Sequence, residues 1–382
     1  TLTNEPEMFF AYNNGLTVTA EELEIKDNRI LKAKNLQIVN GGQTTASIFM
    51  SKFNNKQKID LKNVSLQVKL SVIDSEKVDM IVPQISKSSN TQNKVSAADF
   101  FSNHPFHKTI EDFSRRILAP ASEDQLSETY WFYERARGQY VNKQAKMTQS
   151  ERKKFKAINP RRQMFTKTDL AKFENCFNNM PQAVCKGAQW NFGKFAEEIT
   201  GKDDSSKGLW EKNEMAYNEL WFKNLVAKAI MFNFLKDNMM KQVWYAGYRA
   251  NIIAYALSKF SYEIRKAGKF IDFSAIWKTQ SVSPAMGSEL LELSESINYL
   301  ITATDENVTQ FCKKDDCWKL IKESKYELPS NLNRDLLDGE TAFEQKIDAK
   351  KKQKVLSGIN IQIAVIDKPQ EYWTALYNFC SK

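Results

Sequence analysis

The sequence predicts an α+β chain with a small mixed α/β domain over residues 1–95 and a large, mainly α-helical domain over 96–330. A C-terminal segment over 331–382 adds a strand and a helix. Up to residue 73, short apolar runs alternate with polar residues, the period of a half-buried strand. From residue 96, apolar residues recur at three-to-four spacing, the period of a helix packed along one face. A third observation concerns the first domain, where a strand-like run ends in Asn40-Gly41-Gly42 and a helical pattern follows at once.

Met8-Phe9-Phe10-Ala11-Tyr12 is an apolar run that ends at Asn13-Asn14-Gly15, residues suited to a tight turn with positive φ. Leu16-Thr17-Val18-Thr19 and Leu36-Gln37-Ile38-Val39 read as strands, and Leu66 to Ile73 is a clear period-two run. Residues 44–53 form a helical pattern between the last two, so the order strand, glycine turn, helix, strand resembles a βαβ unit. A second helix is expected over 75–87, capped by Ser75 with Glu76 and Asp79 near its N-terminal dipole, and it gives way to a polar stretch over 88–93. In the helical region, Leu220, Trp221, Leu225, Ala229, Phe232 and Leu235 share one face, and such aromatic stripes read as core. The polar segment 201–208 reads as a loop. The charged stretch 346–354 precedes a strand expected over 359–366 and a helix over 370–379.

Composition excludes several classes. No apolar run approaches the roughly 18 residues of a membrane span, and the first residues lack the basic and apolar regions of a signal peptide, so a cytoplasmic protein without membrane contact is expected. The 5 cysteines are an odd number that fits reduced thiols. Cys312 and Cys317 are the one close pair, and their spacing without a second pair reads as buried thiols rather than zinc ligands. With 2 histidines, His104 and His107, imidazole chemistry has few candidates. The net charge of +9 favours an anionic partner.

Asn40-Gly41-Gly42-Gln43-Thr44-Thr45 has what an anion site needs. Glycines allow close backbone approach, and a helix start offers N–H groups carrying partial positive charge. The side chains of Gln43, Thr44 and Thr45 add hydrogen bonds. A tight connection with an N-cap would use the same residues, and the absence of a following lysine excludes a Walker loop or a spaced dinucleotide fingerprint. Two further segments rich in uncharged amides change the balance, Asn13-Asn14-Gly15 upstream and Asn90-Thr91-Gln92-Asn93 downstream. Buried amides need partners, so convergence of the three would form a polar pocket. The candidate ligand residues are Asn13, Asn14, Gly15, Asn40, Gly41, Gly42, Gln43, Thr44, Thr45, Asn90, Gln92 and Asn93.

These segments also carry a family resemblance. Phe9-Phe10-Ala11-Tyr12-Asn13-Asn14-Gly15-Leu16-Thr17, Ile38-Val39-Asn40-Gly41-Gly42-Gln43-Thr44-Thr45, and Asn90-Thr91-Gln92-Asn93-Lys94-Val95-Ser96 with Asp99-Phe100 resemble the signature of the abortive-infection phage-resistance (AIPR) family. Tyr130-Trp131-Phe132-Tyr133-Glu134-Arg135-Ala136-Arg137-Gly138-Gln139-Tyr140 continues it. The resemblance implies a bacterial phage-defence protein, often encoded near restriction-modification genes, and a sequence that starts inside or just before its α/β domain. More distantly, the turn is similar to the nucleotide-binding core of the ParB/sulfiredoxin superfamily, including its DGQHR-type branch. That likeness implies a nucleotide with Mg as cofactor, with Gly41, Gly42 and Thr44 on phosphate and Asn90 or Asn93 assisting. Thr44-Thr45 stand where those relatives place His-Arg or Arg-Arg, and losing that strong phosphate partner weighs against hydrolysis.

Residues 143–172 hold ten basic side chains against the acidic Glu151 and Asp169. Such a run can neutralise several phosphates, with Tyr140, Phe155 and Phe165 as rings for stacking, although charge runs are also ordinary solvated faces. The candidate nucleic-acid contacts are Lys153, Lys154, Lys156, Arg161 and Arg162, joined by Arg135 and Arg137. Those last two, beside Glu134, read equally as phosphate ligands or an internal ion pair. The leading expectation is a defence protein that binds a nucleotide or other phosphate ligand and contacts nucleic acid. The alternatives are a metal-dependent nuclease, whose nearest candidates are Asp60 and Lys69 with Gln67 in place of the usual acidic residue, or a non-enzymatic sensor or scaffold that recognises a phage protein. The sequence sets no oligomeric state.

Overall fold

The computed structural model describes residues 5–53, 61–91, 101–122, 125–202, 206–366, 370 and 373–374, and it has an α+β fold. Two compact units divide it: Thr1–His104 with Ala136–Ala157, and Pro105–Arg135 with Ile158–Lys382.

In the first unit a short helix α1 (Phe9–Tyr12) leads into strand β1 (Leu16–Ala20), whose Val18, Thr19 and Ala20 are buried. That burial marks β1 as the centre of its sheet. Strands β2 (Glu22–Lys26) and β3 (Arg29–Lys34) form an exposed hairpin around Asp27-Asn28, both at positive φ, the requirement of a type I′ turn. Lys34–Glu22 at 2.7 Å and Lys32–Glu24 at 3.1 Å pair across it. Strand β4 (Gln37–Asn40) then runs antiparallel to β1 along one edge, helix α2 (Gly42–Phe53) follows, and β5 (Val68–Val72) pairs parallel to β1 along the other edge. The βαβ reading is therefore corrected. The β2–β3 hairpin returns the chain antiparallel to β1, so β4 and β5, the strands on either side of α2, oppose each other across β1.

Helix α3 (Val78–Thr91) also differs from expectation. Ser75 lies in a preceding 3-10 turn and donates to Glu21 Oε2 at 3.1 Å instead of capping the helix, which runs on through 88–91 and packs against β4.

The second unit begins with α4 (Pro105–Arg116) and the short strands β6 (Leu118–Ala119), β7 (Thr129–Tyr130) and β8 (Phe132–Glu134). Two helices intervene in the chain, α5 (Gln139–Lys143) and α6 (Gln149–Ile158). They precede β9 (Met164–Thr166), which pairs parallel to β8, and α7 (Lys167–Phe177). Thr166 and Asp169 form a capping box that starts α7. The following helices are α8 (Pro181–Cys185), α9 (Ala188–Thr200), α10 (Glu219–Asn238) and α11 (Arg249–Lys266). Leu225, Ala229, Phe232 and Leu235 of α10 are buried as the spacing predicts.

Helix α11 is buried on most sides over 252–264, polar residues included, with α7, α8 and α10 packed against it. Its fully buried Lys259 is satisfied by Glu263 at 2.7 Å and by the carbonyls of Lys322 at 3.1 Å and Ser324 at 2.8 Å. All three ammonium donors therefore have acceptors. Strand β10 (Phe270–Ile271), helices α12 (Phe273–Thr279), α13 (Pro284–Thr302) and α14 (Asp315–Glu323), and strand β11 (Leu336–Leu337) complete the packing. The strand expected over 359–366 is the end of a single helix, α15 (Gly339–Ile366). A helix already running gains one hydrogen bond per added residue, and no proline intervenes before Pro369. Of the terminal helix expected over 370–379, only residues 370, 373 and 374 are described, and they are helical.

Two stability predictions follow from this packing. A Cβ at Gly15, whose φ is +75°, would sit 2.5 Å from the Gln67 carbonyl oxygen, whereas one at Gly42 meets nothing within 4 Å. In chemical denaturation Gly15→Ala loses at least about 2 kcal/mol and Gly42→Ala stays within about 0.5 kcal/mol of the parent. Lys259→Met leaves the buried Glu263 with only the longer Lys266 pair at 3.6 Å and costs about 3 kcal/mol by the same measurement.

Candidate functional site

The start of β1, the end of β4 and the start of β5 lie at the same end of the sheet, because Thr17 pairs with Asn40 and Leu16 with Val68. Three chain segments meet there. Asn13 Oδ1 accepts from the Gly15 N–H at 2.9 Å and so closes the turn before β1. The same side chain bonds Thr44 reciprocally, Asn13 Nδ2 donating to Thr44 Oγ1 at 3.1 Å and Thr44 Oγ1 donating to Asn13 Oδ1 at 3.3 Å. The two amide-rich turns, 31 residues apart, are thus joined.

The glycines of the second turn have different roles. Gly41 has φ +96°, and a Cβ there would sit 2.3 Å from Leu16 Cδ2 and 2.9 Å from the Gly15 carbonyl oxygen. Its freedom serves the packing of the sheet end. Gly42 and Gln43 are exposed, with open space around Gly42. The first helical bond runs from Thr45 N–H to the Gly41 carbonyl at 3.0 Å, and the Thr45 hydroxyl also donates to that carbonyl at 3.3 Å. The N–H groups of Gly42, Gln43 and Thr44 therefore have no intrahelical acceptor and carry the positive end of the helix dipole. Asn14 is exposed at the neighbouring turn and Asn40 half-buried on β4. Asn90 lies on α3, the helix that packs on β4, while Gln92 and Asn93 fall outside the described residues, as does Asp60.

In the second unit, the Tyr130–Arg135 part of the aromatic motif is largely buried around charges. Arg135 Nε donates to Glu111 Oε2 on α4 at 2.8 Å. Arg115 also reaches Glu111 at 3.5 Å, donates to the Tyr133 carbonyl at 2.9 Å, and lies 3.6 Å over the Phe132 ring. Burial lowers the Arg115 pKa against the pull of Glu111 and Glu134, and burial raises that of the Tyr133 hydroxyl, which hydrogen-bonds His107 Nδ1. The sequence does not place His107 in such a network. The sequence signal was the spacing of Glu111 and Arg115 on one helix face.

The family model for AIPR protein matches residues 1–305. The chain belongs to the AIPR family. Membership points to a role in abortive-infection defence against phage. No curated protein and no solved structure matches the AIPR chain, and the comparisons do not show the ParB/sulfiredoxin superfamily. No helix among the described residues is long and apolar enough to cross a membrane.

The basic run of this AIPR chain is divided between the units. Lys153, Lys154 and Lys156 are exposed on α6, which Thr148 and Glu151 start with a capping box, while Arg161 and Arg162 are exposed in the second unit. Other basic side chains have local partners. Arg152 donates to the Gln144 carbonyl at 3.0 Å, Lys146 sits over the Phe49 ring, and Lys172 pairs with Asp169 at 3.1 Å. Arg137 is exposed and makes no ion pair among the described residues. The stacking expectation is corrected. Tyr140 and Phe165 are buried, and Phe155 packs on Tyr140 with ring centroids 5.3 Å apart, because an amphipathic helix turns its rings inward and its lysines out.

Glu111 is the acid shared by two guanidinium groups. Glu111→Gln keeps the shape, removes the charge, and lowers unfolding free energy by about 2 kcal/mol in urea denaturation.

Proposed function

We propose that this AIPR chain acts in phage defence by binding a phosphate-bearing ligand of the nucleotide class at the start of α2, and that α6 contacts nucleic acid. The observation that carries the first part is the reciprocal Asn13–Thr44 bond. It holds the α2 start against β1 while Gly42 and Gln43 stay open to solvent. A phosphate placed there receives the N–H groups of Gly42, Gln43 and Thr44, with the amides of Gln43 and Asn14 beside them. No carboxylate lies in either turn to repel it. Mg is the accompanying cation the sequence likeness implies. The turn supplies no arginine or lysine for a developing phosphoryl charge, so the activity proposed is binding rather than hydrolysis. Lys153, Lys154 and Lys156, exposed along one short helix, support the second part through phosphate contacts without base readout.

Equilibrium binding of labelled ATP and CTP to the full chain tests the site. Gly42→Glu places a carboxylate at the helix start, where the dipole tolerates it, and is expected to abolish the ATP- and CTP-binding component that belongs to the turn, with unchanged thermal stability. Absence of binding to the parent chain, or equal binding by the variant, sinks the reading. For nucleic acid, Lys153→Ala with Lys156→Ala is expected to weaken duplex DNA binding and to reduce the salt dependence of log K by about 2. An unchanged slope removes α6 from the interface.

A further inference from the structure

The helical unit contains a cleft of about 350 Å³ that the turn does not involve. Its residues come from α10, α11, the β10–α12 junction, β11 and the first turns of α15. Volumes of roughly 300–1,000 Å³ are those of small-molecule sites. What distinguishes this cleft is its chemistry. Arg265 and Lys346 line it with the amides of Asn224 and Gln345 and the rings of Phe270 and Phe273, and no carboxylate is among its lining residues.

The two cations are arranged differently. Arg265 donates to the Phe177 carbonyl at the end of α7, a bond that fixes the guanidinium while leaving it further donors. Lys346 is exposed, lies 5.8 Å from the Phe270 ring centroid, and makes no ion pair among the described residues. The carboxylate nearest in effect to Arg265 is Glu174, which is buried and held by Lys228 Nζ at 2.8 and 2.9 Å. The lining of the cleft therefore carries two cations and no carboxylate beside two phenylalanines, a combination that burial of apolar surface alone does not call for. A flat ring can pack on Phe270 while its anionic group meets Lys346 and Arg265, and Asn224 and Gln345 can bond polar edges.

We propose that this cleft binds a small ring-bearing anion of the mononucleotide class, independently of the turn at α2. The site takes a monophosphate through Arg265 and Lys346 and the base through Phe270 and Phe273.

Calorimetric titration of AMP, adenosine and inorganic phosphate into the full chain, with and without Gly42→Glu, tests this. AMP is expected to bind the Gly42→Glu chain, with adenosine and phosphate each weaker by about tenfold or more. Lys346→Glu reverses an exposed charge, and Asn224→Asp keeps the side-chain shape while adding a carboxylate. Each is expected to weaken AMP binding about tenfold or more with unchanged thermal unfolding. The proposal is overturned if the Gly42→Glu chain binds no AMP, if adenosine binds as well as AMP, or if both cleft variants bind AMP like the parent. AMP binding lost in Gly42→Glu and kept in Lys346→Glu overturns the cleft and leaves the turn standing.

Discussion

The close approach of Gly15 to Gln67 and of Gly41 to Leu16 is the constraint on which the architecture of the first unit depends. Each is a glycine at positive φ whose missing side chain leaves room for a neighbouring segment, the Gln67 backbone in one case and Leu16 in the other. Because both contacts lie at one end of the sheet, β1, β4 and β5 are brought to a common end, and α2 must start there. The Asn13–Thr44 bond follows from that proximity. The proposed ligand contact lies one residue later. Gly42 carries no packing load, and its N–H group opens a helix that projects from a fixed sheet end.

The second unit is organised differently. Its centre is α11, a helix buried along its length, which carries Lys259 into the core only because Glu263 and two carbonyls at the end of α14 accept its three donors. A buried ammonium left without such acceptors costs several kcal/mol, so the bond ties α14 to α11 in one position. The same helix supplies Arg265 near its end, where it emerges at the cleft, so a rigid core side chain and a ligand-facing one share a single element. Family membership indicates a role in abortive-infection defence. A ligand site in each unit would give the chain two chemical inputs.

Much of this was legible in the sequence, for identifiable reasons. Strands β1, β4 and β5 follow from period-two alternation, and the start of α2 follows from the glycine turn, because local backbone chemistry decides both. The sequence placed Asn13 and Thr44 on separate candidate segments whose convergence would form a polar pocket, and the structure joins these two by hydrogen bonds. Strand direction was not legible. The alternating segments around Asp27-Asn28 formed a hairpin that went unread, and that hairpin reverses β4 relative to β1. Period also misled at 359–366, where Ile-Asn-Ile-Gln-Ile alternates as a strand would, yet a helix begun at Gly339 propagates through it. The roles of Tyr140 and Phe165 were lost for a related reason, since composition shows that rings and lysines are interleaved but not which side each takes. The cleft was invisible because Asn224, Arg265, Phe270 and Lys346 come together only through tertiary packing.

The central claim is that the α2 start, and Gly42 in particular, receives a phosphate group. The most direct measurement is amide NMR of the chain labelled with nitrogen-15 glycine, titrated with ATP in the presence of Mg. A phosphate accepting from the Gly42 N–H shifts that resonance downfield in a saturable way, while the signal of Gly15, whose N–H is held by Asn13, moves little. A saturable shift at Gly42 with the Gly15 signal steady is the predicted result. A Gly42 resonance that stays in place while ATP binds elsewhere on the chain would contradict the account.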